Sequence, residues 1–575
     1  MANKNLFGSK SENKITATNR THAATPATET VNAAGGRAYE FTAKHALAQI
    51  AATNCFNSTF YADADANLQL AKDAVQKLRH DPEFIAKVAV FSREKSYMKD
   101  MPAYLTAVLA TLDANLFRKV FRKVIDNGKM LRNFIQIGRS GQAGKKLNMS
   151  SGAIRHAIRD WFADRSPENL LYASIGNDPN MRDILRMARP RPETDEKAAL
   201  YAYLKGAEYD VKLGEFLTKN KDGSVKYRHQ FDLLPQIVRQ YERFKKTHEG
   251  EIPKVDFRLL DSILTKDEAR KLWASQAANG GWTMTRMNLN NFAKYGVFED
   301  AKLVKTVAAR LSNREEILRA RAYPYQLMMA YMATEGSVPS EVRESLQDAM
   351  EVALENVPTF DGQVYICVDT SGSMQSPITG SRIGSSSKVR CVDVASLFAA
   401  AILRKNKSAE ILPFDTDVHS CSFNPRDTVM TTAGKLAKFG GGGTDCSCAL
   451  RHLNKKGVKG KAVIFVSDNE SWVDSSYSSM YGRGTGLLNE WNVFKDRNND
   501  AKLVCIDLTP RSNSQVKEHK DILQVGGFGD AVFDVVSNFI EHGLSNDHWV
   551  DVINGVDLDA ARPKREKVEV PEGVA

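Results

Sequence analysis

Apolar positions recur at three- and four-residue spacing through almost all of residues 40–355. This is the period of helices that bury one face. The segments ANLQLAKDAVQKLRH, DPEFIAKVAVFSRE, MPAYLTAVLATLD and NLFRKVFRKVIDN show it most clearly. Their connections are short and carry Pro, Asp, Gly or Asn, which suits successive antiparallel helices. No strict sequence period accompanies the pattern, so it predicts a degenerate solenoid of helix pairs. Near residue 356 the pattern changes. VYICVD, AEILPF, KAVIFVSD, KLVCIDLT and the weaker DILQVGG are short strand-like runs, with helical segments such as VRCVDVASLFAAAILRK and DAVFDVVSNFIEHGL between or after them. Strands alternating with helices predict right-handed βαβ units and a doubly wound parallel sheet. The ends read differently again. Residues 1–35 are rich in Ala, Thr, Asn and Ser and are expected to form a flexible tail, and residues 556–575 a polar one. The expected domains are therefore 36–355, helical, and 356–555, α/β.

Composition narrows the classes. The 575 residues are 42% hydrophobic and 26% charged, an ordinary globular balance. No apolar run reaches the ~18 residues that would span a bilayer, and the first twenty residues lack the apolar core of a secretory signal. Seven cysteines, sparse and odd in number, exclude a disulfide scaffold and point to a reducing, cytoplasmic setting. The formal net charge of +10 is unevenly distributed. Residues 356–575 carry 25 basic and 27 acidic side chains, so all the excess lies in residues 1–355. A basic helical part suits an acidic partner such as nucleic acid, or is simply a well-solvated surface.

The sharpest local signal is Asp369-Thr370-Ser371-Gly372-Ser373, directly after the strand VYICVD. Asp369, Ser371 and Ser373 alternate with other residues, so one tight loop can aim three oxygens at a point. Doubly wound folds place ligands at this edge. Two more oxygen donors occupy comparable positions: Thr444 after the run Gly440–Gly443, and Asp468 at the end of KAVIFVS. Hard oxygen donors with few carboxylates suit Mg²⁺, or Mn²⁺, in octahedral geometry.

Competing chemistries fail on the residues. A phosphoaspartyl phosphatase needs a second Asp two positions after the first, and Ser371 stands there. A nucleotide-binding P-loop needs G-x-x-x-x-G-K-[ST]; in GRSGQAGKK, residues 138–146, the outer glycines are one residue too far apart and Lys146 replaces the Ser/Thr. No general base accompanies the oxygen cluster, so a binding site is expected rather than a hydrolytic one. Cys446 and Cys448 form a C-x-C pair with no second pair nearby, and read as small buried residues opening a helix rather than zinc ligands. The eleven histidines show no metal-ligand spacing.

Positive charge is concentrated in residues 115–160, which hold eleven Lys/Arg and only two acids, Asp126 and Asp160. Arg139, Lys145 and Lys146 fall on a Gly-rich stretch. Arg155 and Arg159 share a helix face, beside His156. A second cluster, MRDILRMARPRP, supplies Arg182, Arg186, Arg189 and Arg191. Arginine forks and loop amides suit phosphates; a solvated helix face accounts for either cluster equally well.

The segments FSREKSYMKDMPAYLTAVLA, LRNFIQIGRSGQAGKKL, MRDILRMARPRP, NLNNFAKYGVF and RLSNREEILRARAYPYQLMMAY, in that order and followed by VYICVDTSGSM, resemble the TROVE module of the Ro autoantigen family. The oxygen cluster resembles the metal-ion-dependent adhesion site of von Willebrand factor A domains, D-x-S-x-S with a distant Thr and a distant Asp. The resemblance implies an α-helical HEAT-like repeat ring plus an α/β doubly wound von Willebrand factor A domain. It also implies a monomeric ring that binds small structured Y-type RNA on its basic outer surface and single-stranded 3′ ends of misfolded RNA in its hole, sometimes beside an exoribonuclease. By position, Arg182, Arg186 and Arg189 fall on the RNA-binding rim, with Arg189 where relatives often carry His. The expected function is RNA binding in RNA stability or quality control, not catalysis. The alternative is a protein-interaction scaffold whose A-domain metal captures a partner carboxylate, and a weaker third reading is a metal-dependent phosphoester hydrolase.

Overall fold

The computed structural model describes residues 4–7, 29–31, 37–53, 56–57, 63–150, 152–210, 212–320, 322, 324–334, 336–380, 389–468, 470, 485–509, 513–516, 521–527, 531–542 and 548–560. The chain forms two compact units. One comprises residues 1–13, 102–275 and 558–562; the other comprises 14–101, 276–557 and 563–575.

The first unit is mainly helical. Helix α1, Ala114–Val124, starts where the Asp113 carboxylate accepts from the amides of Asn115 and Leu116, satisfying two of the free N–H groups of the first turn. Its Phe117, Val120, Phe121 and Val124 are buried, and Phe134 of α2, Gly128–Ser140, packs edge-on against Phe121 with ring centres 5.1 Å apart. Helix α3, Gly152–Ala163, buries Ile154, Ile158, Trp161 and Phe162, and the Trp161 indole donates to the carbonyl of Ile125 just past α1 (2.8 Å). Helix α4, Met181–Ala188, is capped by Asn180, whose side chain accepts from the Asp183 amide.

Three expectations need correction in this unit. Residues 208–229, inside the stretch read as helical, form an antiparallel sheet of Glu208–Asp210, Glu215–Lys219 and Val225–His229. The tight turn Asn220–Ser224, with Gly223 at φ +85°, returns the chain, and Phe216 and Leu217 anchor the sheet in the core. The initial residues are not wholly a free tail: Lys4–Phe7 make a helical turn with Leu6 and Phe7 buried, because this apolar pair finds cover against α2. Near the other end, Leu558 is buried and Asp559 and Ala560 contact α1, so the polar tail is docked at this point. Residues 1–3, 8–28, 32–35 and 561–575 of the two expected tails lie outside the described residues.

In the second unit, five strands form one parallel sheet: β1 Val364–Asp369, β2 Glu410–Phe414, β3 Ala462–Ser467, β4 Lys502–Asp507 and β5 Ile522–Gly526, in the order β5-β4-β3-β1-β2. All residues of β1, β3 and β5 are buried, as expected for strands covered on both faces. Helix α5, Cys391–Lys405, crosses from β1 to β2 and buries thirteen residues. The chain then returns past β1 to β3, which makes the carboxyl ends of β1 and β3 the switch point of the sheet. The helix Ala43–Thr53 flanks this sheet within the same unit, and Ser340–Ala353, just ahead of it in sequence, packs on Val429–Leu436 and ties to Arg404 of α5 through Glu351 (3.0 Å). Ala43–Thr53 covers edge strand β5: the His45 imidazole Nε2 lies 3.0 Å from the carbonyl oxygen of Gln524, 479 residues away in sequence. Strand Arg37–Glu40 pairs with Glu29–Val31 and with Asn513–Ser514. Among the described residues no helix is long and apolar enough to cross a membrane.

Candidate metal centre and basic surface

At the switch point β1 ends in Asp369, fully buried. The loop after it is tied down by backbone. The Thr370 amide and hydroxyl both donate to the carbonyl of Phe414, at 2.8 and 2.9 Å. The Gly372 amide donates to the Gly442 carbonyl, and the Gly441 amide to the Thr370 carbonyl, each at 3.0 Å. These two bonds clasp the Gly440–Gly443 run onto the Asp369 loop. Only glycine fits at 440, where φ is +87° and a Cβ would stand 2.0 Å from the Thr370 oxygen. Thr444 follows two residues past Gly442 and is 3% exposed.

Within the loop, the Ser371 amide donates to Asp369 Oδ1 (2.9 Å), and the hydroxyls of Ser371 and Ser373 are 3.3 Å apart. Asp468 follows β3 and is buried, with the Ser373 hydroxyl on its carboxylate. Ser467, not foreseen from the sequence, donates its hydroxyl to Asp369 Oδ2 at 2.5 Å. Its position beside Asp468 at the strand end was the available signal. Asp415, also unforeseen, follows β2; its backbone carbonyl accepts from the Asp445 amide, and its carboxylate lies close enough to raise Asp369. Burial pushes the carboxyls of Asp369 and Asp468 above the ordinary range. For Asp468, burial with Asp369 nearby pushes it up to about 8. Among the described residues no Lys or Arg forms an ion pair with either. Two adjacent buried carboxylates with three buried hydroxyls are costly without a counter-charge, and a hard divalent cation suits this donor set.

Cys446 and Cys448 lie in the apolar cluster with Cys367, Phe465 and Cys505, where burial raises the Cys448 thiol well above its usual range.

On the first unit, α2 ends at Gly141, which takes the left-handed conformation at φ +87°. The chain folds back so that the Leu147 amide donates to the Gly138 carbonyl (2.8 Å), leaving Arg139, Lys145 and Lys146 exposed. On α3, Arg155 is half-buried. The Arg159 Nε donates to the carbonyl of Ala188 at the end of α4 (2.8 Å), where unsatisfied carbonyls favour a cation. Arg189 caps α4 at φ +48°. Arg182, Arg186 and Arg189 are exposed, and the Arg182 guanidinium lies against Gly206. Arg159 thus joins the two sequence clusters: its neighbours on α3 belong to the first and Ala188–Arg189 to the second. Among the described residues, none of these eight cations forms an ion pair with a carboxylate.

This order of parts, a helical body followed by a parallel-sheet domain with an oxygen-lined switch point, defines a protein carrying a von Willebrand factor A domain behind a helical N-terminal region. Residues 363–540 match the family model described as the Ro60 vWA domain. Over 552 residues the chain is 23% identical to the RNA-binding protein RO60 of Deinococcus radiodurans, covering 88% of this chain and 94% of that protein. It is 24% identical over 275 residues to the RNA-binding protein RO60 of Caenorhabditis elegans, covering 45% of this chain and 40% of that one. The crystal structure of the Deinococcus radiodurans RO (RSR) protein aligns with a TM-score of 0.56 at 17% identity, over 88% of this chain and all of that one, so the fold is shared. The resemblance to the Ro family read from the sequence is borne out by these matches.

Proposed function

We propose that this protein binds RNA through its helical unit, and that it acts by binding rather than catalysis. The observation that carries the reading is the set of eight cations on α2, α3, α4 and their loops, joined through Arg159, that form no ion pair with a carboxylate among the described residues. Unpaired Lys and Arg neutralise phosphates and release counterions, which gives sequence-tolerant, salt-sensitive affinity. The similarity to proteins named RNA-binding supports the same reading. In its finer form, structured Y-type RNA occupies the basic surface and unpaired 3′ ends of misfolded RNA enter the hole of the expected ring. The protein acts as a cytoplasmic monomer, at times beside an exoribonuclease. The six described cysteines are all free thiols, which suits a reducing compartment.

In the A domain, Asp369, Ser371, Ser373, Thr444 and Asp468 would hold Mg²⁺ or Mn²⁺. The ion would supply a fixed positive charge with a coordination position open to an outside carboxylate. That buried oxygen set favours a second reading, a metal-dependent scaffold for a protein partner.

The test is RNA binding at several salt concentrations, with and without a single-stranded 3′ overhang. Replacing Lys145, Lys146, Arg155 and Arg159 with Gln weakens binding across sequences and lowers the logarithmic salt slope by roughly one unit per lost contact. Replacing Arg182, Arg186 and Arg189 does the same for structured RNA, and D369A leaves binding unchanged. Wild-type affinity in both basic variants at every salt would leave the scaffold as the better account.

A further inference from the structure

Helix α1 carries a basic row that lies within the basic stretch 115–160 but outside the eight cations placed above. Arg118, Lys119 and Arg122 are exposed on it, opposite the buried Phe117, Val120, Phe121 and Val124. The row continues the surface already described. Helix α1 packs on α3, and the Arg122 guanidinium reaches Asp160 of α3 at 3.3 Å. Helix α3 in turn meets α4 through Arg159. Three adjacent helices thus carry one basic band.

The α1 end of this band is occupied by the chain itself. Asp559 Oδ1 lies 2.6 Å from Lys119 Nζ, and the Lys123 ammonium donates to the Ala560 carbonyl (2.6 Å). Leu558, buried, holds the segment in place. A carboxylate and a carbonyl seated on two lysines one helical turn apart present acceptor oxygens much as consecutive phosphates would. The hold is weak at its outer end. Lys119 and Asp559 remain 46% and 75% exposed, and an ion pair that open to water contributes little.

We propose that α1 is a third RNA-backbone contact, and that residues 558–560 are its internal occupant, which RNA displaces. The proposal rests on the RNA-binding reading and adds to it a site and a competitor. RNA phosphates gain Lys119 when the segment leaves, beside Arg118 and Arg122, which are exposed already. The segment therefore sets a threshold: an RNA engaging only α3 and α4 leaves it in place, and a longer one removes it.

The experiment measures binding of a labelled RNA hairpin with a 3′ overhang at several salt concentrations. It compares the full chain with D559N, K119Q, the double variant K119Q/D559N and a chain ending at Val556. D559N should bind about threefold more tightly at low salt, with a salt slope steeper by roughly one unit. The double variant should bind like K119Q, since the gain acts through Lys119. Amide hydrogen exchange at residues 558–560 should speed up when RNA is added to the full chain. The shortened chain should show the largest gain; D559N, nearly isosteric, keeps the test valid if the shortened chain unfolds. Unchanged affinity and slope in D559N, with the full chain binding RNA, overturn the proposal, as does unchanged or slower exchange at 558–560. If no form binds RNA, the RNA-binding reading itself falls, an outcome distinct from the first.

Discussion

Substituting Gly440 by Ala tests whether the two oxygen-bearing loops of the A domain are held together as described. Gly440 sits at φ +87°, and a Cβ there would stand 2.0 Å from the Thr370 oxygen. The left-handed conformation alone costs a side-chain-bearing residue about 1–2 kcal/mol. Ordinary contact begins near 3.4 Å, so the loops must also part by more than an ångström. That opening strains or breaks the bonds Gly441 N–H to Thr370 and Gly372 N–H to Gly442, each contributing about 1 kcal/mol. The combined loss of about 3–4 kcal/mol lowers the melting temperature of the A-domain transition by roughly 10 °C, at 2–4 °C per kcal/mol for a domain of this size. G434A, where the added methyl meets nothing within 4 Å, is the matched control and melts with the wild type or slightly above it. The assay is thermal unfolding with and without Mg²⁺. G440A should lose both stability and most of the Mg²⁺-dependent gain, because Thr444 moves with the glycine run. A G440A melting temperature within a degree or two of G434A would refute the clasp.

The remaining predictions concern the ion. Mg²⁺ or Mn²⁺ should raise the melting temperature of the wild type and not of D369A, because a ligand of the native state alone stabilises it; equal shifts would remove the metal assignment. The carboxyls of Asp369 and Asp468 are raised by burial, so without an ion the native state holds protons that the unfolded chain has released. Native stability therefore falls as pH rises from the ordinary carboxylate range through about 8. A cation competes with those protons, so the Mg²⁺-dependent gain should grow from about pH 6 to about pH 9; a gain independent of pH would show that the carboxylates do not hold the ion. Purified protein, with or without divalent ions, should leave RNA uncut; cleavage that vanishes in D369A would revive the hydrolase.

The strands of the parallel sheet were legible because continuous β-branched runs such as VYICVD and AVIFVS are what burial on both faces demands. The Asp369–Ser373 loop at the strand end was legible because its spacing is local. The sheet at 208–229 was not recognised, although the turn N-K-D-G-S before VKYRH carried the signal, since a few strand residues between long helices disturb the helical period little. The contacts of Leu6 and Asp559 were hidden for a different reason: each depends on a partner more than a hundred residues away, and neither segment has a period of its own. The basic clusters were visible as composition. Their union was not, because it depends on one arginine reaching a carbonyl at the end of another helix.

The contact between His45 and Gln524 sets a timetable for synthesis. At roughly 5–20 residues per second, the helix Ala43–Thr53 leaves the ribosome about half a minute to a minute and a half before its partner strand is made. Residues 102–275 emerge as one contiguous block in that interval and can fold first. The early helix can pack at once on the helices Ala64–Lys77 and Pro82–Glu94 that follow it, but the face that meets β5 waits uncovered. A truncated translation product lacking β5 would therefore keep a native helical block while exposing that face, and would be a natural client for chaperones that hold apolar segments.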